Sequence, residues 1–215
     1  MKAPLRYFAL IIFLAVGIFV LIIGNKYNLL PKKAYDNEHF GIENYISQND
    51  RDNDTIDDQT DILQSARDYI STKPMYKSVY YATGYPDDEY GVCTDVVGFA
   101  LLNSGYDLMQ EVNEHILANR ELYPEIETPD KNIDFRRVRN LKIYFENTAE
   151  VLTNDVNDIT EWQGGDIVIF PGHIGIVSDK RNKKGIPYLI HNGGQIKYEE
   201  DVLAAMEVIG HYRIV

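Results

Sequence analysis

The chain has 215 residues, enough for one domain with a sizeable hydrophobic core and additional segments. Its formal net charge of −12 argues against nucleic acid or an anionic lipid surface as the main partner, because binding to phosphates needs a basic face. The single cysteine, Cys93, excludes an internal disulfide, so cysteine usage does not indicate the redox compartment.

The first predicted element is an apolar segment near the amino terminus. Every residue from 8 to 24 is apolar or glycine. This run is longer than the roughly 7 to 15 residue core of a signal peptide and close to the roughly 17-residue minimum of a spanning helix. No small-x-small cleavage site follows it. We therefore predict an uncleaved transmembrane anchor over residues 1–24 in preference to a cleaved signal peptide.

The charges around this segment bear on its orientation. Lys2 and Arg6 precede it and favour a cytoplasmic amino terminus, whereas Lys26, Lys32 and Lys33 follow it and weaken the asymmetry. The charge pattern thus predicts, without a strong bias, a single-pass membrane protein whose remaining chain lies outside the cytoplasm.

Residues 25–58 are rich in Asn, Asp, Glu and Lys and lack sustained periodicity, so we predict a polar, acidic linker. Within it, the aspartates of residues 50–61 follow the spacing of a calcium-binding EF-hand loop. The sixth position, however, is Thr55 instead of glycine, and the twelfth is Asp61 instead of glutamate. The pattern therefore favours a solvated linker and a helix cap over a calcium site.

Apolar residues then recur at helical spacing in four stretches. These predict helices over residues 58–72, from Cys93 to the terminating Ser104 and Gly105, over 106–122 and over 140–148. Asn140 is the predicted N-cap of the last of these helices.

The character of the sequence changes after residue 165. Runs rich in β-branched and aromatic residues predict strands at 166–170, 173–178, 187–191 and 208–215, separated by turn sequences. Helices that precede an antiparallel sheet are typical of the α+β class. We expect residues 59–215 to form one domain in which helices pack on this sheet.

Cys93 occupies a position where a cysteine can be reactive. The first turn of a helix offers unpaired N–H groups and the positive end of the helix dipole, which favour a thiolate. A lone cysteine can equally be a small core hydrophobe. Five tyrosines precede it and either line a groove or form a wall between core and solvent: Tyr76, Tyr80, Tyr81, Tyr85 and Tyr90.

A predicted hairpin brings a base and an orienting group together. Pairing of strands 173–178 and 187–191 sets His173 opposite residues near Asn192. Directly opposed side chains lie about 4.5 to 5.5 Å apart, so either His191 or Asn192 can reach the His173 ring, and a one-residue change in register decides which. His173 would take the proton of Cys93, and backbone N–H groups at the helix start would form part of an oxyanion hole.

Several short motifs resemble those of known families. The cysteine that opens a helix, followed by WQGGDIVIF, HIGIV and YLIHN, is similar to the NlpC-type cell-wall cysteine peptidases, papain-like enzymes with the order cysteine, histidine, polar residue. More narrowly, GVCTDVV, FRRVRNL, GDIVIF with HIGIVSD, HN.G and GHYR resemble the domain of unknown function 1287 family, from about Asp61 to the end of the chain.

The resemblance implies a papain-like NlpC-type fold and a thiol hydrolase with Cys93 as nucleophile, His173 as base and His191 as third member. Its implied substrates are peptide or amide bonds in peptidoglycan stem peptides, with no cofactor and no metal. An acyl or amide transferase with the same triad and a non-catalytic wall-binding module are the alternatives. Zinc bound by these three residues and His211 fits the ligand types but no zinc-site spacing, and we predict His211 as a core residue.

Four residues are predicted to bind substrate: Tyr90, Asp95, Arg136 and Asn192. The common NlpC pattern has aspartate before the cysteine and serine-glycine after it, whereas here valine precedes and threonine-aspartate follows. Asp95 either complements the helix dipole or contacts a substrate amine. Arg136 either lies in a surface pair or binds a substrate carboxylate.

Overall fold

A computed structural model of the protein describes residues 3–26, 30 and 32–215. The chain forms two compact units, one up to Lys33 and the other over Ala34–Val215. Lys2 and the side chains of Arg6 and Lys26 lie outside the described part, so the charge argument for membrane orientation stays a prediction.

The first unit contains the predicted apolar helix. Helix α1 runs over Ala3–Lys26, and its 18-residue window Tyr7–Gly24 is long and apolar enough to cross a membrane. At 1.5 Å per residue such a window spans about 27 Å, close to the thickness of a bilayer core. Signal sequences near an amino terminus meet the same criteria.

The second unit combines five helices with two sheets. Its helices are α2 Asp58–Ser71, α3 Cys93–Asn103, α4 Leu108–Ala118, α5 Lys131–Asp134 and α6 Val138–Thr148. Its strands are β1 Met75–Tyr76, β2 Tyr90–Gly91, β3 Glu150–Val151, β4 Ile167–Phe170, β5 His173–Arg181, β6 Pro187–Ile190, β7 Glu199–Glu200 and β8 Gly210–Arg213. Short 3₁₀ turns lie at Glu38–Phe40, Arg120–Leu122 and Leu203–Ala205.

Six strands form the main sheet in the order β3-β8-β4-β5-β6-β7, and all of its neighbours are antiparallel. Strands β1 and β2 form a separate parallel pair. The α+β class and the antiparallel sheet are therefore confirmed. The two-residue strands were not predicted from the sequence, because segments this short show no periodicity.

The predicted helices and long strands are present, with shifted ends. Helix α2 begins after the N-cap Asp57, whose carboxylate accepts the Thr60 N–H. The N-cap prediction for Asn140 is wrong, because α6 starts two residues earlier, after Arg137. Asn140 instead donates through Nδ2 to the Asp134 carbonyl at 3.0 Å, which satisfies a polar group inside the core.

The main sheet is buried on both faces. One face joins the helices in a core that contains Cys93, Val97, Ile174, Ile176 and Ile190. The other face supports a second cluster that includes Trp162, Phe170, Val177, Leu189 and Leu203. Because side chains alternate along a strand, the parity of a residue number in β5 or β6 decides which cluster it joins.

A buried aspartate ties the end of the chain to the sheet and to α2. Asp166 accepts hydrogen bonds from Arg213 at 2.7 and 2.8 Å and from Gln59 Nε2 at 2.9 Å, and His211 Nε2 lies 3.0 Å from it. The Trp162 ring stacks on His211 at 3.7 Å between centroids. The prediction of His211 as a hydrogen-bonded core residue is confirmed, and the WQGGD and GHYR motifs have a structural role.

The compact unit begins at Ala34, well before the predicted domain start at residue 59. Tyr35 pairs with Arg181, whose guanidinium is buried and donates to the carbonyls of Ile159, Trp162 and Gly185. Asn37 also accepts from this guanidinium. Polar composition indicated a linker, but here polar side chains satisfy a buried cation, which composition alone does not reveal.

Candidate active site

The start of α3 is fixed by backbone geometry and one carboxylate. Val92 is extended, with φ −129° and ψ −177°, and Cys93 is the first helical residue, as predicted. Asp95 accepts the Val92 N–H at 2.8 Å through Oδ2, which satisfies a donor at the helix start. The sulfur therefore lies in the first turn of a helix whose position is held by its own third residue.

The environment of Cys93 differs from the expected one. The residue is only 7% exposed and belongs to the main core. Burial raises the pKa of the thiol and outweighs the backbone N–H groups of Ile174 and Thr94, which face the sulfur and lower that pKa, while the nearby Asp95 carboxylate raises it. The expectation of a thiolate favoured by the helix start is therefore wrong, because desolvation of the charged form dominates.

The contact with Ile174 places the sulfur next to the sheet. The N–H group that faces Cys93 belongs to the peptide bond between His173 and Ile174. His173 is half-buried and opens β5, while the Ile174 side chain packs in the same core as Cys93. The structure thus brings the cysteine and the first predicted histidine to one end of the sheet.

The register of β5 and β6 selects the partner of His173. Ile176 pairs with Ile190 and Val177 with Leu189, and this register continued sets Gly175 opposite His191. A Cβ atom at Gly175 would lie 3.2 Å from the His191 Cβ and 2.8 Å from the Ile190 carbonyl oxygen. Only glycine therefore allows the two strands to approach this closely here.

His191, and not Asn192, shares a face with His173. His173 Nε2 lies 2.8 Å from His191 Nδ1, and the two rings are nearly perpendicular at 84°. Burial and the neighbouring His191 lower the pKa of His173 to about 4. His173 is therefore a neutral base at physiological pH, hydrogen-bonded to a second imidazole. Of the two alternatives left open by the sequence, the geometry selects His191.

Asn192 has a different role from the predicted substrate contact. It is fully buried and donates through Nδ2 to the carbonyls of Pro74 at 2.9 Å and Gly91 at 3.2 Å. Its Oδ1 accepts the Gly194 N–H at 3.2 Å. These bonds tie the loop after β6 to the segment just before Cys93, so Asn192 holds the two halves of the site together.

Asp95 and Arg136 were predicted to contact substrate, and they bind each other instead. Arg136 donates from Nε to Asp95 Oδ1 at 2.7 Å and from Nη2 to Asp95 Oδ2 at 2.8 Å, a bidentate pair. Its Nη1 donates to the Val79 carbonyl at 2.7 Å. The predicted carboxylate-binding arginine thus binds a carboxylate of this chain, and the pair supports the start of α3.

The tyrosines before Cys93 divide between wall and rim. Tyr81 is buried and Tyr85 packs on two phenylalanine rings, whereas Tyr76 and Tyr80 are 52% and 57% exposed. Tyr90 is half-buried under the Lys77 ammonium, which lies 4.2 Å from its ring centroid. The sequence did not decide whether these tyrosines line a groove or form a wall between core and solvent, and the structure contains both exposed and buried tyrosines.

Of the two exposed tyrosines, Tyr76 lies against the loop that contacts the histidine pair. A Cβ atom at Gly194 would lie 3.4 Å from the Tyr76 Cβ, and one at the preceding Gly193 would lie 3.4 Å from the His173 ring. A separate cavity of about 280 Å³ is lined by Val92, which precedes Cys93, and by Tyr80 and Arg137 among others. The sequence groups Arg137 with Arg136 in the FRR motif, and the prediction of a substrate contact selected Arg136 alone.

Comparisons with known proteins agree with the narrower of the two resemblances. Residues 63–214 match the family described as Domain of unknown function (DUF1287). The chain belongs to the DUF1287 family. It is 38% identical over 164 residues to the uncharacterized protein YijF of Escherichia coli (strain K12), an alignment that covers 71% of this chain and 80% of that protein. No solved structure matches the chain. The matched DUF1287 region runs from α2 to just past β8 and includes Cys93, His173 and His191.

The buried pair in this DUF1287 domain predicts a large stability effect. We expect Arg136→Ala to lower the free energy of unfolding by about 3 to 5 kcal/mol, because it leaves the Asp95 carboxylate uncompensated in the core. Urea denaturation of the detergent-solubilised protein measures this change. Arg137→Ala is the matched control, since that side chain is 49% exposed and lies 3.9 Å from Asp134. It should change the unfolding free energy by less than about 0.5 kcal/mol. Equal effects of the two substitutions would contradict the assignment.

The lowered pKa of His173 predicts a pH-dependent stability. Because this pKa falls from 6.5 to about 4 on folding, the unfolded chain binds a proton at this ring at higher pH than the folded chain. The stabilising contribution is complete above pH 6.5 and is lost as the pH falls towards 4. We expect His173→Gln to flatten the loss of unfolding free energy across this window, measured by denaturation at a series of pH values. Titrating groups that do not contact His173, such as His115, cancel in the difference, so parallel curves would refute the shift.

Proposed function

We propose that this protein is a membrane-anchored thiol hydrolase that cleaves peptide or amide bonds, with peptidoglycan stem peptides as its substrate class. The observation that carries the proposal is the position of the Cys93 sulfur beside the backbone that joins Ile174 to a hydrogen-bonded pair of histidines. Cys93 faces the peptide bond that follows His173, and His173 is hydrogen-bonded to His191. A helix-opening cysteine packed on an antiparallel sheet, with the order Cys, His, His along the chain, supports a papain-like NlpC-type fold.

The proposed reaction starts from a neutral pair. Burial keeps the Cys93 thiol protonated and the His173 imidazole unprotonated at rest. As the sulfur attacks the substrate carbonyl carbon, His173 takes the thiol proton and then delivers it to the nitrogen of the scissile bond. The C–N bond breaks, an amine leaves, and the acyl group remains on the sulfur as a thioester. Water activated by His173 hydrolyses the thioester, which releases a carboxylic acid and restores the thiol.

Backbone groups at the helix start supply the electrostatic part of the proposal. The first N–H groups of an α-helix have no partner within the helix, and Cys93 is the first residue of α3. Its N–H, aimed at the developing oxyanion, would stabilise negative charge in a site largely shielded from water. The Asp95–Arg136 pair and the Asn192 clamp keep this segment in place, which is their contribution to catalysis.

The surroundings fit a peptide substrate with a negatively charged group. Tyr76 and Tyr80 offer exposed aromatic faces on the rim. The cavity beside Val92 is bordered by Arg137, whose guanidinium is half exposed. We assign to Arg137 the carboxylate contact first expected from Arg136, because the Arg136 donors are engaged by Asp95 and by the Val79 carbonyl.

Muropeptide release tests the proposed hydrolysis. The full chain in detergent is incubated with purified peptidoglycan, and released fragments are identified by mass spectrometry. We expect Cys93→Ala to lower release by at least about 10³-fold, because the covalent step is lost. Circular dichroism verifies that the variant is folded. Full release by this variant would end the proposal.

The products separate hydrolysis from its alternatives. A transferase with the same triad would form new amide bonds when a small primary amine is added to the mixture. A wall-binding module would release nothing and would leave Cys93 unlabelled by a thiol-directed activity probe in the native protein. Hydrolysis instead gives free carboxylates and amines, with labelling that peptide substrates suppress.

We further propose that α1 stays attached and that the second unit lies outside the cytoplasm. The sequence pattern around α1 supports this side. Gln48 is exposed, so Gln48→Cys in a Cys93→Ala background provides a surface thiol. We expect a membrane-impermeant maleimide to label this variant in intact cells, whereas Ala3→Cys in the same background reacts only after lysis. Labelling of the Gln48→Cys protein only after lysis would place the unit on the other side.

A further inference from the structure

Glu200 lies on the same face of the sheet as the histidine pair. In the β6–β7 register Glu200 pairs with Leu189, and paired residues of an antiparallel sheet share a face. His191 is two residues beyond Leu189 and therefore belongs to that face as well. Glu200 is diagonal to His191, a separation that a long side chain spans.

The Glu200 carboxylate lies close to the outer nitrogen of His191. Glu200 Oε1 is 3.3 Å from His191 Nε2, and the two side chains are only 9% and 8% exposed. The contact is long, and the Nε2 atom has no well-aligned hydrogen bond. Because a carboxylate at this distance in a desolvated place still acts strongly on a ring nitrogen, we regard the interaction as electrostatic. Catalytic hydrogen bonds often become shorter only when substrate binds.

The neighbouring carboxylate has a separate set of partners. Glu199 accepts from Arg67 at 2.8 Å, from Ser178 at 2.6 Å and from Lys180 at 2.5 Å. Since adjacent residues of a strand point to opposite faces, Glu199 faces away from the histidines. The chain therefore has two consecutive glutamates in one strand, one in a cluster of cations and hydroxyls and the other beside an imidazole.

A carboxylate beside His191 determines where the protons of both rings lie. A neutral imidazole has one N–H donor and one acceptor nitrogen, and an ionised carboxylate only accepts. The proton of His191 is then favoured on Nε2, which leaves Nδ1 as an acceptor. His173 must in turn donate from Nε2 across the 2.8 Å contact. Its Nδ1 is left with a lone pair, the form that a base requires.

We propose that Glu200 is a positioning residue that sets the tautomers of His191 and His173 and so makes His173 Nδ1 the base. Its catalytic meaning rests on the function proposed above, whereas the tautomers themselves do not. With the opposite arrangement, His191 would donate from Nδ1 to His173 Nε2. His173 would then hold its proton on Nδ1 and could not accept one there.

Nuclear magnetic resonance of the ring nitrogens tests this assignment. The full chain in detergent, labelled with ¹⁵N-histidine, gives the tautomer of each ring at neutral pH from couplings between ring protons and nitrogens. We expect the Nε2–H form at both His191 and His173. In Glu200→Met the ratio of Nε2–H to Nδ1–H at His173 should fall at least about tenfold, the scale on which groups that orient a histidine act.

Glu199→Gln is the matched control, because it removes a charge from the adjacent residue on the opposite face. It should leave both tautomers as in the wild type. If Glu200→Met does not fold, Glu200→Gln keeps the side-chain volume and should change the ratio in the same direction. Unchanged tautomers in a folded Glu200 variant, or an Nδ1–H form of His173 in the wild type, would overturn the proposal.

Enzyme kinetics distinguish this inference from the proposed function. We expect Glu200→Met to lower kcat for muropeptide release about 10- to 100-fold with little change in KM, because an orienting group acts on the base and not on substrate binding. Glu199→Gln should retain kcat. A wild type with the expected tautomers but without hydrolysis would refute the hydrolase and leave the role of Glu200 in place. Hydrolysis by the wild type together with unchanged tautomers in Glu200→Met would refute the role of Glu200 and leave the hydrolase in place.

Discussion

The close pairing of β5 with β6 is the constraint on which the candidate site depends. Gly175 allows the two strands to approach where a Cβ atom would meet the Ile190 carbonyl oxygen at 2.8 Å. This register sets His191 on the face of His173 and directs Asn192 to the other side. A shift of one residue would exchange those two roles, since side chains alternate along a strand. The pairing of the two backbones therefore decides which side chain contacts the His173 ring.

Burial on both sides of the sheet explains why most polar residues of the family motifs are structural. Asp166, Arg181 and Asp95 are buried, and Arg136 is mostly shielded from water, so each of these charges is compensated by partners within the chain. These networks join segments far apart in sequence, including α2, the start of α3 and the last strand. Motif residues that resemble substrate contacts are therefore largely the framework that holds Cys93 and the histidines at one end of the sheet.

The same burial determines the resting state of the reactive groups. It raises the pKa of the Cys93 thiol and lowers that of the His173 imidazole, and both changes disfavour a separated charge pair. A neutral pair is compatible with proton transfer during attack, and it protects the only thiol of the chain from adventitious reaction. The helix dipole lowers the pKa of the Cys93 thiol less than desolvation raises it. A helical sequence pattern alone does not indicate this balance.

The sequence by itself determined the apolar amino-terminal helix, the α+β class, the position of Cys93 at a helix start, the strand that begins with His173 and the strand that ends just before His191. These features follow from periodicity and turn residues, which are local properties. Only the tertiary structure decided that residues from Ala34 join the domain, that Asp95 and Arg136 bind each other, that Asn192 is a clamp and that Glu200 lies beside His191. These outcomes depend on which distant side chains meet in a desolvated place. Contacts of that kind follow from register and packing across the whole chain and not from the neighbours of a residue in sequence.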